Sequence, residues 1–77
     1  MKPKFKIGDW LYQRKKESQY ELECYEIFKI IGIGSSNYRI KMLDGSINVY
    51  SFGLIDRGGF YWEPARHLTQ EEKIKFL

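Results

Sequence analysis

The sequence predicts a mainly β fold, namely a small, strongly bent barrel of four to five antiparallel strands followed by a short C-terminal helix. Aromatic and β-branched residues occur in short runs, as is typical of strands. Turn signals rich in glycine separate these runs, and one helix-capping pattern occurs near the end of the chain. Closure into a barrel is expected because it removes the exposed edges of so short a sheet.

The length of 77 residues predicts a single domain over residues 1–77. A chain of this size removes only about 60% of its unfolded surface on folding, which leaves little room for a deep catalytic cavity. Aromatic residues make up 17% of the chain, more than one small core hides comfortably. Several rings are therefore expected at the surface, where they are candidate contacts.

The net charge of +3 favours anionic partners weakly, and its distribution is more informative. One acid, Asp9, stands among the basic residues of the first sixteen positions, which are Lys2, Lys4, Lys6, Arg14, Lys15 and Lys16. The next ten residues contain four acids and no base, and the acids are Glu17, Glu21, Glu23 and Glu26. Separate basic and acidic surfaces are expected.

A single cysteine, Cys24, and a single histidine, His67, exclude an internal disulfide and a structural zinc site built by one chain. No metal and no cofactor is expected. Asp9 interrupts the N-terminal region before any long apolar run, so neither a signal peptide nor a membrane span is expected, and a cytoplasmic location is predicted.

The first half of the chain predicts two strands. Phe5 and Ile7 form a lead-in, Gly8-Asp9 a turn, and Trp10-Leu11-Tyr12 the first strand. Residues 15–19 are polar and predict a loop, and residues 22–33 predict the longest strand, bent near Gly32 and Gly34.

The most regular alternation lies in residues 38–42. It predicts a strand with Tyr38, Ile40 and Met42 on one face and Arg39 and Lys41 on the other. Asp44-Gly45 then predicts a two-residue type I′ hairpin, with residues 47–52 returning antiparallel.

The remaining residues predict one or two more strands within 53–62, interrupted at Gly58-Gly59, and Pro64 is expected to stop any strand pairing that follows. The sequence Thr69-Gln70-Glu71-Glu72 matches a capping box and predicts a short helix after Thr69. Ile74 and Leu77 are spaced to contact the barrel.

The segment Phe5-Lys6-Ile7-Gly8-Asp9-Trp10-Leu11 resembles the opening of SH3-like small barrels of the Tudor and KOW type, in which an apolar-Gly-Asp turn leads into the first strand. Residues 25–31 and 38–45 are similar to the next two strands and their turn, so the resemblance covers residues 5–56. The resemblance implies a fold. Tudor domains bind methylated side chains in a cage of aromatic rings, and the resemblance assigns no positions of this chain to such a cage. The chain also resembles short, lysine-rich accessory proteins of bacteriophages and mobile elements.

The first functional hypothesis is a nonenzymatic module that binds nucleic acid or a nucleotide. Bases stack on exposed rings while phosphates pair with neighbouring cations. The candidate ligand-binding residues are Trp10, Tyr12, Arg14, Arg39, Lys41 and Tyr50. The alternative for the lysines is a purely solubilising role.

The second hypothesis is a protein-binding adaptor or inhibitor, such as a phage protein that antagonises a host enzyme or a defence complex. Mixed acidic and aromatic patches suit protein interfaces. The candidate partner-binding residues are Tyr20, Glu21, Glu23, Tyr61 and Trp62. Phe60 and Trp62 are expected to plug the barrel end, which leaves Tyr61 for contact.

Enzymatic activity is not expected. The single cysteine and the single histidine, Cys24 and His67, are the candidate nucleophile and base. Asp9, Asp44 or Asp56 would have to orient the imidazole. Residues 32–36 lack the Gly-Lys-Ser/Thr of a phosphate-binding loop and predict a hairpin loop.

Overall fold

The computed structural model describes residues 2–16 and 24–77, and it confirms the mainly β class and the C-terminal helix. Its elements are β1 (Trp10–Arg14), β2 (Tyr25–Ile33), β3 (Asn37–Met42), β4 (Ile47–Ser51), α1 (Phe52–Asp56), β5 (Arg66–His67) and α2 (Gln70–Phe76). The five strands form one antiparallel sheet in the order β4-β3-β2-β1-β5.

The sheet is open, so the predicted closure into a barrel is wrong. In the described part of the chain, β4 and β5 are the two opposite edges and do not pair. Ser51 ends β4 as the N-cap of α1, its hydroxyl accepting from the Leu54 N–H, and this turns the chain away from β5. The gap is bridged by α1, since the Ile55 carbonyl accepts a hydrogen bond of 2.9 Å from the Ala65 N–H just before β5.

One face of the sheet, which we call the inner face, carries the core. Tyr38 and Ile40 of β3 are fully buried on it and Met42 is half-buried, which confirms the alternation predicted for this strand. The other buried core residues come from the lead-in, the strands, α1 and the segment before β5, and are Phe5, Leu11, Phe28, Ile30, Phe52, Ile55 and Ala65. The opposite, outer face of the four long strands therefore carries Arg39 and Lys41.

The hairpin between β3 and β4 differs from the predicted type I′ turn. Gly45 has a φ of 92°, but no other residue type has a positive φ in the described residues, so Asp44 does not adopt the conformation that type I′ requires. The Gly45 N–H donates to the Met42 carbonyl and the Met42 N–H donates to the Ser46 carbonyl. The loop therefore contains three residues, with glycine at its left-handed position.

Residues 53–62 do not form the predicted strands. Phe52 and Ile55 are three residues apart, so in α1 both reach the core, and the rest of the segment contributes only an isolated bridge between Trp62 and Lys15. Pro64 does not prevent strand pairing either, since β5 starts two residues later on an edge, where proline is tolerated.

The capping box of α2 is confirmed, but its predicted contacts are not. Thr69 accepts from the Glu72 N–H at 3.1 Å, and the Glu72 carboxylate accepts from the Thr69 N–H at 2.9 Å. Ile74 is 76% exposed and Leu77 is 55% exposed. The helix instead approaches the sheet through Phe76, whose ring centroid lies 6.0 Å from that of Tyr25.

Candidate basic and aromatic face

A row of side chains crosses the outer face of four strands. Strand register places Trp10 of β1 opposite Lys29 of β2, Lys29 opposite Lys41 of β3, and Lys41 opposite Ile47 of β4. Residues directly opposite in an antiparallel pair point to the same face, so the four side chains lie side by side. We call this set the cross-strand row.

Two lysines of the cross-strand row face each other without an intervening acid. Lys29 and Lys41 are directly paired, an arrangement that destabilises a sheet when both are charged. The Lys29 ammonium lies 5.9 Å from the centroid of the Trp10 ring, within reach of a cation–π interaction. Alternation along β1 to β4 places no Asp or Glu on the outer face of these strands. The cations that it places there are Arg14, Lys29, Arg39 and Lys41.

A groove lies beside the cross-strand row on the same face. It encloses about 370 Å³, and its lining includes Gly32, Arg39 and Val49, which follow one another across β2, β3 and β4. A Cβ atom on Gly32 would lie 3.3 Å from the Arg39 Cβ, so a side chain at position 32 would crowd Arg39 and narrow the groove. The groove is therefore lined by one cation, Arg39, beside the backbone of Gly32, which no side chain covers.

Tyr12 lies on the outer face but is already covered. Its ring stacks on Tyr25 at 5.2 Å with an interplanar angle of 22°, and the Arg66 guanidinium lies 4.2 Å from its centroid. Arg66 is held there by Glu72, with nitrogen–oxygen distances of 2.7 and 3.0 Å. The hydrogen bond to Arg66 and the Thr69 N–H lower the pKa of Glu72 to about 2. This cluster attaches α2 to the sheet and occupies the Tyr12 ring, whereas the Trp10 ring contacts Lys29 of the cross-strand row.

Tyr50 is separated from the other ligand-binding candidates, because it pairs with Tyr38 on the inner face. Its ring contacts Phe28 edge-on at 6.2 Å and its hydroxyl donates to Glu26 at 3.3 Å. Burial and the Glu26 charge raise the pKa of this hydroxyl. The remaining candidates, Trp10, Tyr12, Arg14, Arg39 and Lys41, share the outer face. Arg14, however, pairs with Tyr25, four residues along β1 from Trp10, so it lies about 13 Å from the cross-strand row.

Lys29 is the residue that the sequence reasoning missed. The feature of the sequence that could have identified it is the two-residue period of β2, which places Tyr25, Ile27 and Lys29 on the same face. The lysines at positions 2, 4 and 6, in contrast, lie on the lead-in, whose Phe5 packs into the inner-face core. The predicted basic face is therefore divided between the lead-in and the strands, and the lysines that lie beside Trp10 are those of the strands.

The partner-binding candidates are only partly described. Tyr20, Glu21 and Glu23 lie outside the described residues. Tyr61 is 63% exposed and Trp62 is half-buried. Phe60 is 86% exposed and contacts Tyr61 edge-on at 5.0 Å, so the prediction that it plugs a barrel end is wrong. The chain turns at Gly58-Gly59, where the Gly59 N–H donates a hydrogen bond to the Trp62 carbonyl. The turn places the Phe60 ring in solvent.

His67 lies beside one of the acids considered for it. Its Nε2 is 3.2 Å from Asp9 Oδ2, and the Lys6 N–H together with His67 lowers the pKa of Asp9. The Cys24 carbonyl accepts from the N–H of Lys15, just after β1, whereas His67 pairs with Leu11, four residues earlier in the chain. That offset corresponds to about 13 Å, so cysteine and histidine do not meet.

Within residues 2–16 and 24–77, no group of three or more His, Cys, Asp or Glu side chains is arranged to hold a metal ion. Neither helix in this part of the chain has the length and apolar character needed to cross a membrane. Comparisons with known protein families, with curated proteins and with solved structures find no match for the chain.

Proposed function

We propose that the chain is a nonenzymatic module that binds single-stranded nucleic acid or a nucleotide on the outer face of its sheet. The observation that carries the proposal is the direct pairing of Lys29 with Lys41, next to Trp10, with no acid at an outward-facing position of the four long strands. A phosphate between the two ammonium groups relieves their repulsion, and a base stacks on the neighbouring indole.

The groove supports a ligand longer than one phosphate. Arg39 lies two residues from Lys41 on the same face of β3, about 7 Å away, so its guanidinium is placed for a second phosphate or a base edge. Cations on adjacent strands with one ring among them suit the backbone and bases of an extended single strand. We also propose that residues 5–56 are related to SH3-like barrels, a relationship that the comparisons do not confirm.

Fluorescence anisotropy with a short labelled single-stranded DNA or RNA tests the proposal. Three cations that contact phosphates predict a slope of log K against log salt of roughly −2, at about 0.7 per contact. Lys29→Gln with Lys41→Gln is expected to weaken binding and flatten this slope. Lys2→Gln with Lys6→Gln removes the same charge from the lead-in and is the matched control.

Two results would contradict the proposal. One is the absence of association with DNA, RNA or mononucleotides at low salt. The other is an equal loss of affinity in both double variants, since this would show that net charge alone, and not the cross-strand row, attracts the ligand. Competition by unlabelled ATP distinguishes a nucleotide site from a site for polymers.

A second candidate function is a protein-binding adaptor or inhibitor, including a phage protein directed at a host enzyme or defence complex. The exposed pair of Phe60 and Tyr61 favours it, because aromatic rings that lie outside the core are enriched at interface hot spots. A pull-down with the wild-type chain is compared with Phe60→Ala and Tyr61→Ala. A partner retained equally by wild type and variant counts against this surface.

A further inference from the structure

The two edges of the sheet differ in how they are protected from other strands. β5 has two residues, Arg66 and His67, and follows Pro64 closely. Charge, proline and shortness are the features that keep edges from pairing. β4 has five residues with the sequence Ile-Asn-Val-Tyr-Ser, and it contains neither a charge nor a proline. On its outer face Ile47 and Val49 are each 58% exposed.

Hydrogen bonds at the ends of β4 determine which of its residues point toward β3 and which point away from it. The Ser46 carbonyl accepts from Met42, and the Phe52 N–H donates to the Ser36 carbonyl, so both residues point toward β3. In an antiparallel strand the N–H and C=O of a residue point to the same side, and this side alternates along the chain. The residues between them that point away from β3 are therefore Ile47, Val49 and Ser51. As the N-cap of α1, Ser51 has its carbonyl engaged in the first turn of that helix and offers only its N–H to another strand.

We propose that β4 is a self-association edge, at which two copies of the chain pair antiparallel about a two-fold axis that passes midway between their Val49 residues. This register places Val49 opposite the second copy's Val49 and Ile47 opposite its Ser51, whose N–H donates to the Ile47 carbonyl. Because Val49 and Ile47 share the outer face, they bring four apolar side chains together at the junction.

The charges of the chain permit this arrangement. The nearest outward-facing cations, Arg39 and Lys41, lie on β3, and two copies of β4 would separate them from their counterparts by three strand spacings, or about 14 Å. This exceeds the screening length of about 8 Å at physiological salt, so the two cationic faces do not repel each other strongly. A two-fold axis perpendicular to the sheet also puts both outer faces on the same side. The proposal does not depend on the proposed ligand.

The contact is small, since five residues a side is well below the 20–30 of a standard interface. A weak, concentration-dependent dimer is therefore expected. Sedimentation analysis up to roughly 1 mM, where a weak interface becomes populated, is expected to show a species of twice the 9.2 kDa chain mass. Hydrogen exchange measured over the same range is expected to slow at the Val49 and Ser51 amides, while Asn48 and Tyr50, which point toward β3, exchange slowly at every concentration.

Charge variants test the register. Val49→Lys places like charges directly opposite each other and is expected to lower the association constant roughly tenfold or more, as is Val49→Glu. Val49→Thr keeps the β-branched shape without charge and is the matched control. An equimolar mixture of the lysine and glutamate variants is expected to restore the dimer, because opposite charges then meet.

The proposal is overturned by a chain that stays monomeric throughout the range, by Val49→Lys dimerising as wild type does, or by failure of the mixture to associate. Exchange protection at Val49 and Ser51 that depends on an added extended peptide, and not on the concentration of this chain, also overturns it. Because the exchange measurement uses the wild-type chain, the test does not depend on whether a variant folds.

Discussion

The Tyr38 hydroxyl donates a hydrogen bond of 2.7 Å to Asp56 Oδ1 and accepts one of 3.1 Å from the Phe5 N–H. The other Asp56 oxygen accepts from the Lys4 N–H at 3.1 Å. One phenol on β3 thus joins the lead-in, the sheet and the end of α1. Burial of the phenol is the main cause that raises the pKa of Tyr38, and Asp56 adds to it.

Tyr38→Phe is expected to destabilise the protein by about 1–3 kcal/mol, because the buried Phe5 N–H loses its acceptor. Chemical denaturation measures the loss, and hydrogen exchange at Phe5 is expected to accelerate more than exchange in β2. Tyr61→Phe removes a hydroxyl from an exposed ring and is the control. Equal stability of the two variants would contradict the role assigned to the Tyr38 hydroxyl.

Gly58→Ala is expected to be among the most damaging single substitutions in the chain. Gly58 has a φ of 87°, and a Cβ there would lie 2.6 Å from the Trp62 carbonyl oxygen and 2.9 Å from the Pro64 nitrogen. Both neighbours are backbone atoms, so the turn itself has to move. The cost is expected to exceed the roughly 1 kcal/mol of an unfavourable backbone conformation alone.

Two other glycines separate the contributions to that cost in a thermal melt. Gly45→Ala has the positive φ without any atom within 4 Å, and it is expected to show the conformational cost alone. Gly34→Ala has neither the positive φ nor a close contact, since its Cβ would lie 3.5 Å from the Asn37 carbonyl oxygen, and it is expected to be tolerated. A Gly58→Ala variant as stable as Gly45→Ala would contradict the close approach.

The attachment of α2 is expected to depend on pH through Glu72. The pKa of Glu72 is lowered from its ordinary value of 4.5 to about 2 by Arg66 and the capping hydrogen bond. Its contribution to stability is therefore fully present above about pH 4.5 and is lost as the pH falls through 2. Chemical shifts of Phe76 and Tyr12 are expected to report detachment of the helix in that window.

Glu72→Gln isolates the charge in this prediction. Glutamine at this position still completes a capping box, but it cannot form the ion pair with Arg66. The variant is expected to keep α2 helical while its Phe76 contact weakens at neutral pH and loses its dependence on pH between 4.5 and 2. An unchanged pH profile would show that another carboxylate controls the docking.

The sequence predicts what is decided locally and fails where the outcome depends on register. The alternation in β3 and the capping box at Thr69 use neighbouring residues only, and both are confirmed. A two-residue loop at Asp44-Gly45 would pair Arg39 with Tyr50 on the outer face. The observed loop has one residue more, so Val49 lies opposite Arg39 and Tyr50 points to the core. One residue of loop length thus moves a side chain to the other face.

The same dependence explains why Lys29 was missed and α1 was not predicted. Lys29 joins the cross-strand row only because β1 and β3 pair with β2 in particular registers, which no local pattern specifies. In residues 50–55 the aromatic and β-branched side chains favour a strand, but Ser51 caps a helix that buries Phe52 and Ile55 together. Tertiary burial thus outweighs local strand preference in this segment.

Arg39→Glu with Lys41→Glu is expected to leave the sheet folded and to abolish anionic-ligand binding, because both side chains are exposed on the outer face of β3. Ile40→Asp is expected to do the reverse. Ile40 is fully buried, and a carboxylate there loses its hydration without a partner, which costs several kcal/mol of a total stability that is only about 5–15 kcal/mol in proteins of this kind. Thermal melts followed by circular dichroism, combined with anisotropy, compare the variants. A double charge reversal that unfolds the chain while Ile40→Asp is tolerated would mean that the outer-face cations are structural, and the proposed binding face would fail with them.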